Sequence, residues 1–346
     1  MKTLAAVLVE PGRRLELAEL DIPPLKPGQT LIALAYSGVC HTQVLEWRGQ
    51  RGPDPYLPHC LGHEGSGTVL EVGPGVTKVR PGEAVILSWI KGSGADVPGT
   101  VYMWGERRVN AGAITTFARH AVISENRLTP VTAGLDLRDA AFLGCALPTG
   151  LGAVLNAARP RPGQSLVVFG CGGVGLCAVQ AAALSGCWPI LAVDVLHAKL
   201  EAARRCGATH VIDASEGDAV AAVADLCPGG ADFAVEASGR PEVMAQALLS
   251  VRPRGGTAVI VGNAPFGATI DLDPRQLNLG KRLLGTWGGD SVPDTDYPTY
   301  ARLLLAGRLS VEPLLGPTYG LEAINDALAD LAAGRVVRPL IAMDAP

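Results

Sequence analysis

At 346 residues the chain is long enough for two domains with sizeable cores. Apolar residues make up 48% and charged residues 18%, which excludes a disordered chain, and a formal charge of −4 gives no grip on nucleic acid or an anionic membrane. No apolar run approaches the roughly 20 residues of a membrane helix, and the run Leu4 to Val9 is too short for a signal-peptide core, so a cytoplasmic protein is expected.

Residues 1 to about 36 carry short apolar runs, Ala5 to Val9, Leu15 to Leu17 and Thr30 to Ala35, split by Pro23-Pro24 and Pro27-Gly28. This pattern predicts hairpins of a mixed sheet or small barrel. The stretch from 37 to 67 then gathers Cys40, His41, His59, Cys60, His63 and Glu64. Such a concentration of metal-capable side chains points to a metal site, although spacing alone does not select which of them meet. Strands are predicted at Thr68 to Val72 and Ala84 to Leu87. The eight cysteines, spread over a long chain, are expected as free thiols.

The middle of the chain reads differently. The buried-strand run Ser165 to Phe169 leads into Gly170-Cys171-Gly172-Gly173-Val174-Gly175, and an Ala- and Leu-rich helix follows from Leu176 to Ser185. Glycines between a strand and a helix are what a dinucleotide site requires. The chain must turn tightly there, approach a pyrophosphate closely and offer it the free N–H groups of a helix start. Asp194 ends the next apolar run, Ile190 to Val193, about 20 residues on, where a carboxylate can bond an adenosine ribose. With no Arg in the five residues after it, Asp194 favours NAD over NADP. Strands at Val211-Ile212, Phe233 to Val235 and Thr257 to Val261 alternate with helices at Lys199 to Cys206, Ala219 to Leu226 and Glu242 to Val251. That alternation predicts a doubly wound parallel sheet. A further helix is expected at Ala301 to Ala306.

Taken together, these motifs resemble the zinc-dependent medium-chain alcohol dehydrogenases along essentially the whole chain. The residues that carry the likeness are Gly38 to Thr42, Gly62 to Gly67, Gly144-Cys145 with Thr149-Gly150, the run 170–175, and Asp194. The Gly-His-Glu-Gly stretch and Ser88-Trp89-Ile90 look most like the branch that includes glutathione-dependent formaldehyde dehydrogenases.

The resemblance implies an α/β protein: a doubly wound (Rossmann) NAD domain at 147–286, and a mainly β, GroES-like catalytic domain at 1–146 and 287–346. It implies that Cys40, His63 and Cys145 bind one catalytic zinc, and that Thr42 takes the alcohol proton. It places Glu64 beside the metal and Trp89 in the substrate wall. It further implies that Thr149, Val174, Val261 and the 285–288 segment line the nicotinamide, that Lys199 adds a ribose contact, and that Arg338 sits near the pyrophosphate. A small alcohol or aldehyde substrate and a homodimer or homotetramer are expected, with no nucleic-acid or membrane partner.

Three departures from the family pattern stand out. The segment Trp89 to Ala118 holds no cysteine, so no structural zinc is expected, and the lobe should be shortened or held by other contacts. The relay His expected five residues after Cys40 is Leu45, which leaves Thr42, the ribose hydroxyl and water, or His41, as the proton's way out. Positions 41 and 43, often Arg and Asp, are His41 and Gln43, so His41 is expected on the pyrophosphate, where an imidazole would make turnover pH-dependent. The alternatives are a zinc-free quinone or enoyl reductase of the same superfamily and a non-enzymatic nucleotide-binding protein.

Overall fold

The computed structural model describes residues 1–343, which divide into two compact units. The first comprises Met1–Cys145, Val292–Gly307 and the chain from Leu315 on; the second comprises Ala146–Ser291 and Arg308–Leu314. Ala146 and residues 287–291 and 308–314, which the sequence pattern puts with the first domain, thus group with the second.

The first unit begins with β1 (Lys2–Leu8), β2 (Glu16–Asp21) and β3 (Gln29–Gly38), followed by α1 (His41–Trp47). Then come β4 (His59–Cys60), β5 (Glu64–Val72), β6 (Ala84–Ser88), β7 (Thr100–Trp104), β8 (Arg107–Gly112), β9 (His120–Ser124), β10 (Leu128–Pro130) and α2 (Leu137–Ala141). Strands β1, β2, β7, β8 and β4 close a barrel. Its interior is filled by alternate side chains, among them Ala5, Val7, Leu20, Tyr102 and Val109. The predicted small barrel is therefore present, but the β7–β8 hairpin that closes it is a feature the sequence reading missed.

The second unit opens with α3 (Ala146–Gly152), β11 (Leu166–Phe169) and α4 (Gly173–Leu184). It continues through β12 (Ile190–Asp194), α5 (His197–Arg205), β13 (His210–Asp213), α6 (Ala219–Leu226), β14 (Phe233–Glu236), α7 (Pro241–Leu249), β15 (Thr257–Ile260), α8 (Arg275–Asn278) and β16 (Arg282–Gly285). The sheet order is β13-β12-β11-β14-β15-β16, with every neighbouring pair parallel. The order reverses between β11 and β14, the crevice where such folds bind dinucleotides.

The chain then returns to the first unit with α9 (Pro293–Leu305), β17 (Leu315–Gly320), α10 (Ile324–Ala332) and β18 (Arg338–Ala342). The helix expected at Ala301 to Ala306 is the last part of α9. Strand β3 pairs with β5, β9 and β18. Its faces are packed by a core that includes Ile32, Leu34, Val44, Leu87, Phe117, Ile324 and Leu328. Each such buried side chain contributes about 1.5–3 kcal/mol, so the pairing of β3 with β5 and β18 is a firm platform. That platform fixes the residues just past the end of β3 and at the start of β5.

Candidate metal centre and nucleotide site

Cys40 is the N-cap of α1, two residues past the end of β3. The helix start is closed by Gln43, whose Oε1 accepts the Cys40 backbone N–H at 2.8 Å, one arm of a capping box. His63 stands immediately before β5, after Gly62, whose φ of +91° is left-handed. Cys145 follows Gly144, where a Cβ would come within 2.3 Å of the Leu87 carbonyl oxygen, so only glycine lets the chain pass this close to β6. The Gly144 carbonyl accepts a hydrogen bond from Ser88 Oγ at 2.7 Å, which pins the turn carrying Cys145.

These three local devices bring the ligand atoms of Cys40, His63 and Cys145 within 4.8 Å of one another. They are the one group of this kind among the described residues. Of the six metal-capable residues in the 37–67 stretch, the others are turned to different work. His59 pairs with Asp54 at 2.8 Å, Cys60 is buried in the barrel interior, Glu64 pairs with Arg338, and His41 is exposed at the start of α1.

Hydrogen bonding to the Cys145 thiol holds the Cys40 sulfur well below the usual thiol range, with help from the Arg338 charge and against the pull of burial. Cys145, whose proton is shared with the Cys40 thiolate, is pushed correspondingly up. Two sulfurs and one imidazole are a fitting donor set for a zinc ion that keeps one position open.

Glu64 is fully buried and ion-paired with Arg338 on β18, itself only 4% exposed. Burial raises the Glu64 carboxyl above the ordinary range, with Arg338 pulling it back. A Cβ at Gly38 would lie 2.1 Å from Glu64 Oε1, so the pair occupies space that glycine leaves free. Thr42 Oγ1 lies 3.6 Å from Cys40 Sγ. The Trp89 ring stands edge-on to His63 with centroids 6.3 Å apart. Beside His63 a cavity of about 260 Å³ is lined by Gln43, Glu46, Tyr56, His59 and Ile114, among others.

The lobe without cysteines is held by Glu125. Its carboxylate accepts the backbone N–H groups of Thr77 (2.7 Å), Lys78 (2.9 Å) and Ala95 (2.8 Å). Asp294 accepts the Ser93 N–H at 2.6 Å and pairs with Lys78 at 2.5 Å.

In the second unit, α4 begins at Gly173, so Gly173, Val174 and Gly175 form its first turn rather than preceding it. Gly170 has φ +89°, and a Cβ on Gly175 would lie 1.8 Å from the Gly170 carbonyl oxygen. At Gly172 a Cβ would meet nothing within 4 Å, which leaves open space beside the helix start. Asp194, at the end of β12, accepts the N–H groups of Cys171 (2.7 Å), Val195 (2.8 Å) and Leu196 (3.1 Å). Lys199 is half-buried on α5, and Val261 just past β15 is half-buried. The Thr149 hydroxyl on α3 is buried without a hydrogen-bond partner among the described residues, as is that of Thr286. Unsatisfied hydroxyls, a glycine cradle and a carboxylate at the next strand end fit a dinucleotide.

Comparison with known proteins gives the following. Residues 26–133 match the family described as alcohol dehydrogenase GroES-like domain, and residues 173–306 match that described as zinc-binding dehydrogenase. The chain is 32% identical to an alcohol dehydrogenase class-3 of Cereibacter sphaeroides, covering 99% of this chain and 100% of that one. It is 33% identical, with the same coverage, to an S-(hydroxymethyl)glutathione dehydrogenase of Escherichia coli. Among solved structures, an alcohol dehydrogenase zinc-binding domain protein from Burkholderia ambifaria superposes with a TM-score of 0.92 at 32% identity over 100% of both chains. Benzyl alcohol dehydrogenase from Acinetobacter calcoaceticus gives 0.90 at 32% identity over 99% of each.

Proposed function

Because the chain belongs to the zinc-dependent alcohol dehydrogenase family, we propose that it carries out the NAD-linked, reversible oxidation of an alcohol to an aldehyde or ketone by hydride transfer. The observation that carries this reading is the convergence of Cys40, His63 and Cys145 in the first unit. When bound, zinc supplies the Lewis acidity that lets an alcohol hydroxyl ionise near neutral pH, and NAD supplies the hydride acceptor.

The chain's own residues do the rest. Thr42, close to the Cys40 sulfur, accepts the hydroxyl proton and passes it to a ribose hydroxyl and water or to His41, since Leu45 cannot carry it. Glu64 and Arg338 keep a neutral, dry floor beside the ligands. Gly170, Gly172, Gly173, Val174 and Gly175 cradle the pyrophosphate, whereas Arg338, which the resemblance put near it, is buried against Glu64. Asp194 and Lys199 bond the adenosine ribose, and the Asp194 carboxylate rejects a 2′-phosphate. Thr149, Val174 and Val261 line the nicotinamide, and Trp89 walls the substrate.

A homodimer or homotetramer built on the second unit is supported by the open edge strand β16, where Leu284 is 41% exposed, and by Trp287 just past its end, 70% exposed. A cytoplasmic home is supported by eight free cysteines.

The relatives' names point to two substrate types, a glutathione adduct and benzyl alcohol. The test is NADH formation by the zinc-loaded protein over primary, secondary, aromatic and thiol-adduct alcohols. At least one class should turn over with NAD well above NADP. No turnover of any, with zinc and NAD both bound, would favour a non-enzymatic nucleotide-binding protein.

A further inference from the structure

Gln43 lies between two of the three ligand residues. Its Oε1 accepts the Cys40 backbone N–H at 2.8 Å, and its Nε2 stands 2.5 Å from His63 Nδ1. A side-chain amide donates at one end and accepts at the other. With Oε1 committed to Cys40, the amide N–H is donated to the Nδ1 lone pair. The ring proton is then on Nε2, which faces the Cys145 sulfur at 3.3 Å.

Ligation needs the other tautomer. Nε2 can hold a metal only when its lone pair is free and the ring proton sits on Nδ1. Gln43 must then turn Oε1 toward the ring, and its NH₂ group meets the Cys40 N–H, donor against donor. A carboxylate at this position would accept from both groups at once. Gln43 is 1% exposed, yet it borders the cavity beside His63, which gives the amide room to turn.

We propose that Gln43 is a positioning residue that holds His63 in the non-ligating tautomer when the site is empty, so that this chain binds zinc more weakly than it would with a carboxylate at position 43. The proposal rests on the reading of Cys40, His63 and Cys145 as the metal centre.

The test uses the full chain, wild type, Gln43→Asp and Gln43→Leu, stripped of metal. Zinc affinity is measured by competition with a chromophoric chelator, and the ligand set is checked by the thiolate-to-cobalt charge-transfer band. The His63 tautomer in the metal-free wild type is read from imidazole ¹⁵N shifts. Expected are an Nε2–H ring in the metal-free wild type, zinc binding ten- to a hundred-fold tighter in Gln43→Asp, and affinity within about threefold of wild type in Gln43→Leu. An Nδ1–H ring in the metal-free wild type, equal affinity in Gln43→Asp, or a tenfold loss in Gln43→Leu overturns the proposal while leaving the metal centre standing. Absence of the cobalt–thiolate band in the wild type overturns the metal-centre reading itself. If Gln43→Asp fails to fold, the tautomer measurement and Gln43→Leu still decide.

Discussion

Replacing Arg338 by Met strands the Glu64 carboxylate where water cannot reach it. The buried group escapes by taking up a proton, which bounds the cost. Neutralising a carboxyl with an unfolded-state pKa of about 4.3 at pH 7.5 takes about 4 kcal/mol, at 1.36 kcal/mol per pH unit. That agrees with the roughly 3–5 kcal/mol lost when one partner of a buried ion pair is removed. Burial already raises the Glu64 carboxyl, and Arg338 is what opposes it. With the cation gone the folded pKa rises further. A raised folded pKa gives stability that is complete below the unfolded value of about 4.3 and is lost as pH climbs toward the folded one. Because the wild-type carboxyl is itself raised, the neutralisation cost is a ceiling on the difference, so the Arg338→Met deficit should be at most about 1 kcal/mol at pH 5 and grow toward, at most, about 4 kcal/mol near pH 7.5. Adding Glu64→Gln removes the stranded charge and should recover stability to within about 1 kcal/mol of wild type, with no pH slope. Urea unfolding of the metal-free chain from pH 5 to 8 measures this, with hydrogen exchange of the β18 amides localising the effect. A single variant within 1 kcal/mol of wild type at pH 7.5, or a double variant as unstable as the single, refutes the reasoning.

Two further outcomes follow from the geometry. Gly175→Ala drives a methyl to 1.8 Å from a backbone oxygen that cannot step aside, so the loop must shift. NAD affinity should fall at least tenfold in a fluorescence titration, with zinc binding unchanged. Glu125→Gln weakens the charge-assisted bonds to Ala95, Thr77 and Lys78 and should cost about 1–3 kcal/mol at pH 7. Burial pushes the Glu125 carboxyl up, but those backbone donors outweigh it and leave it below the ordinary range. Its contribution is thus full above about pH 4.3 and fades as pH falls through the lower folded value. The gap between wild type and variant should close on acidification; a gap that widens in acid would contradict this assignment.

The second unit was legible because its strands are short, buried runs and its helices local. The elements from β11 to β15 declare themselves within ten residues, and the glycines at 170–175 mark the turn that joins β11 to α4, whereas the short helix α8 and the largely exposed edge strand β16 carry no such run and had no local signal. The first unit was legible only in part. Its opening hairpins carry Pro-Gly punctuation, but β18 pairs with a strand 300 residues earlier, and no local pattern announces that. The β7–β8 hairpin had a signal in the alternation of Tyr102 and Trp104 just before the turn at Gly105. Helix α9 hid its first half behind Pro293, Pro298 and two aspartates. In the site, spacing left six residues of the 37–67 stretch open, and resemblance selected two of them, Cys40 and His63, and added Cys145 from outside it. The roles of Glu125 and Gln43 had no local signature, because each depends on backbone donors brought in from elsewhere in the fold.

The most direct test of the account is the rate of NADH formation against zinc bound per chain, in protein stripped by a chelator and refilled stepwise. The account predicts no turnover in the stripped chain and a linear rise that saturates at one zinc. Full activity in the zinc-free chain, or activity unchanged by replacing Cys40, His63 and Cys145 together, would contradict it.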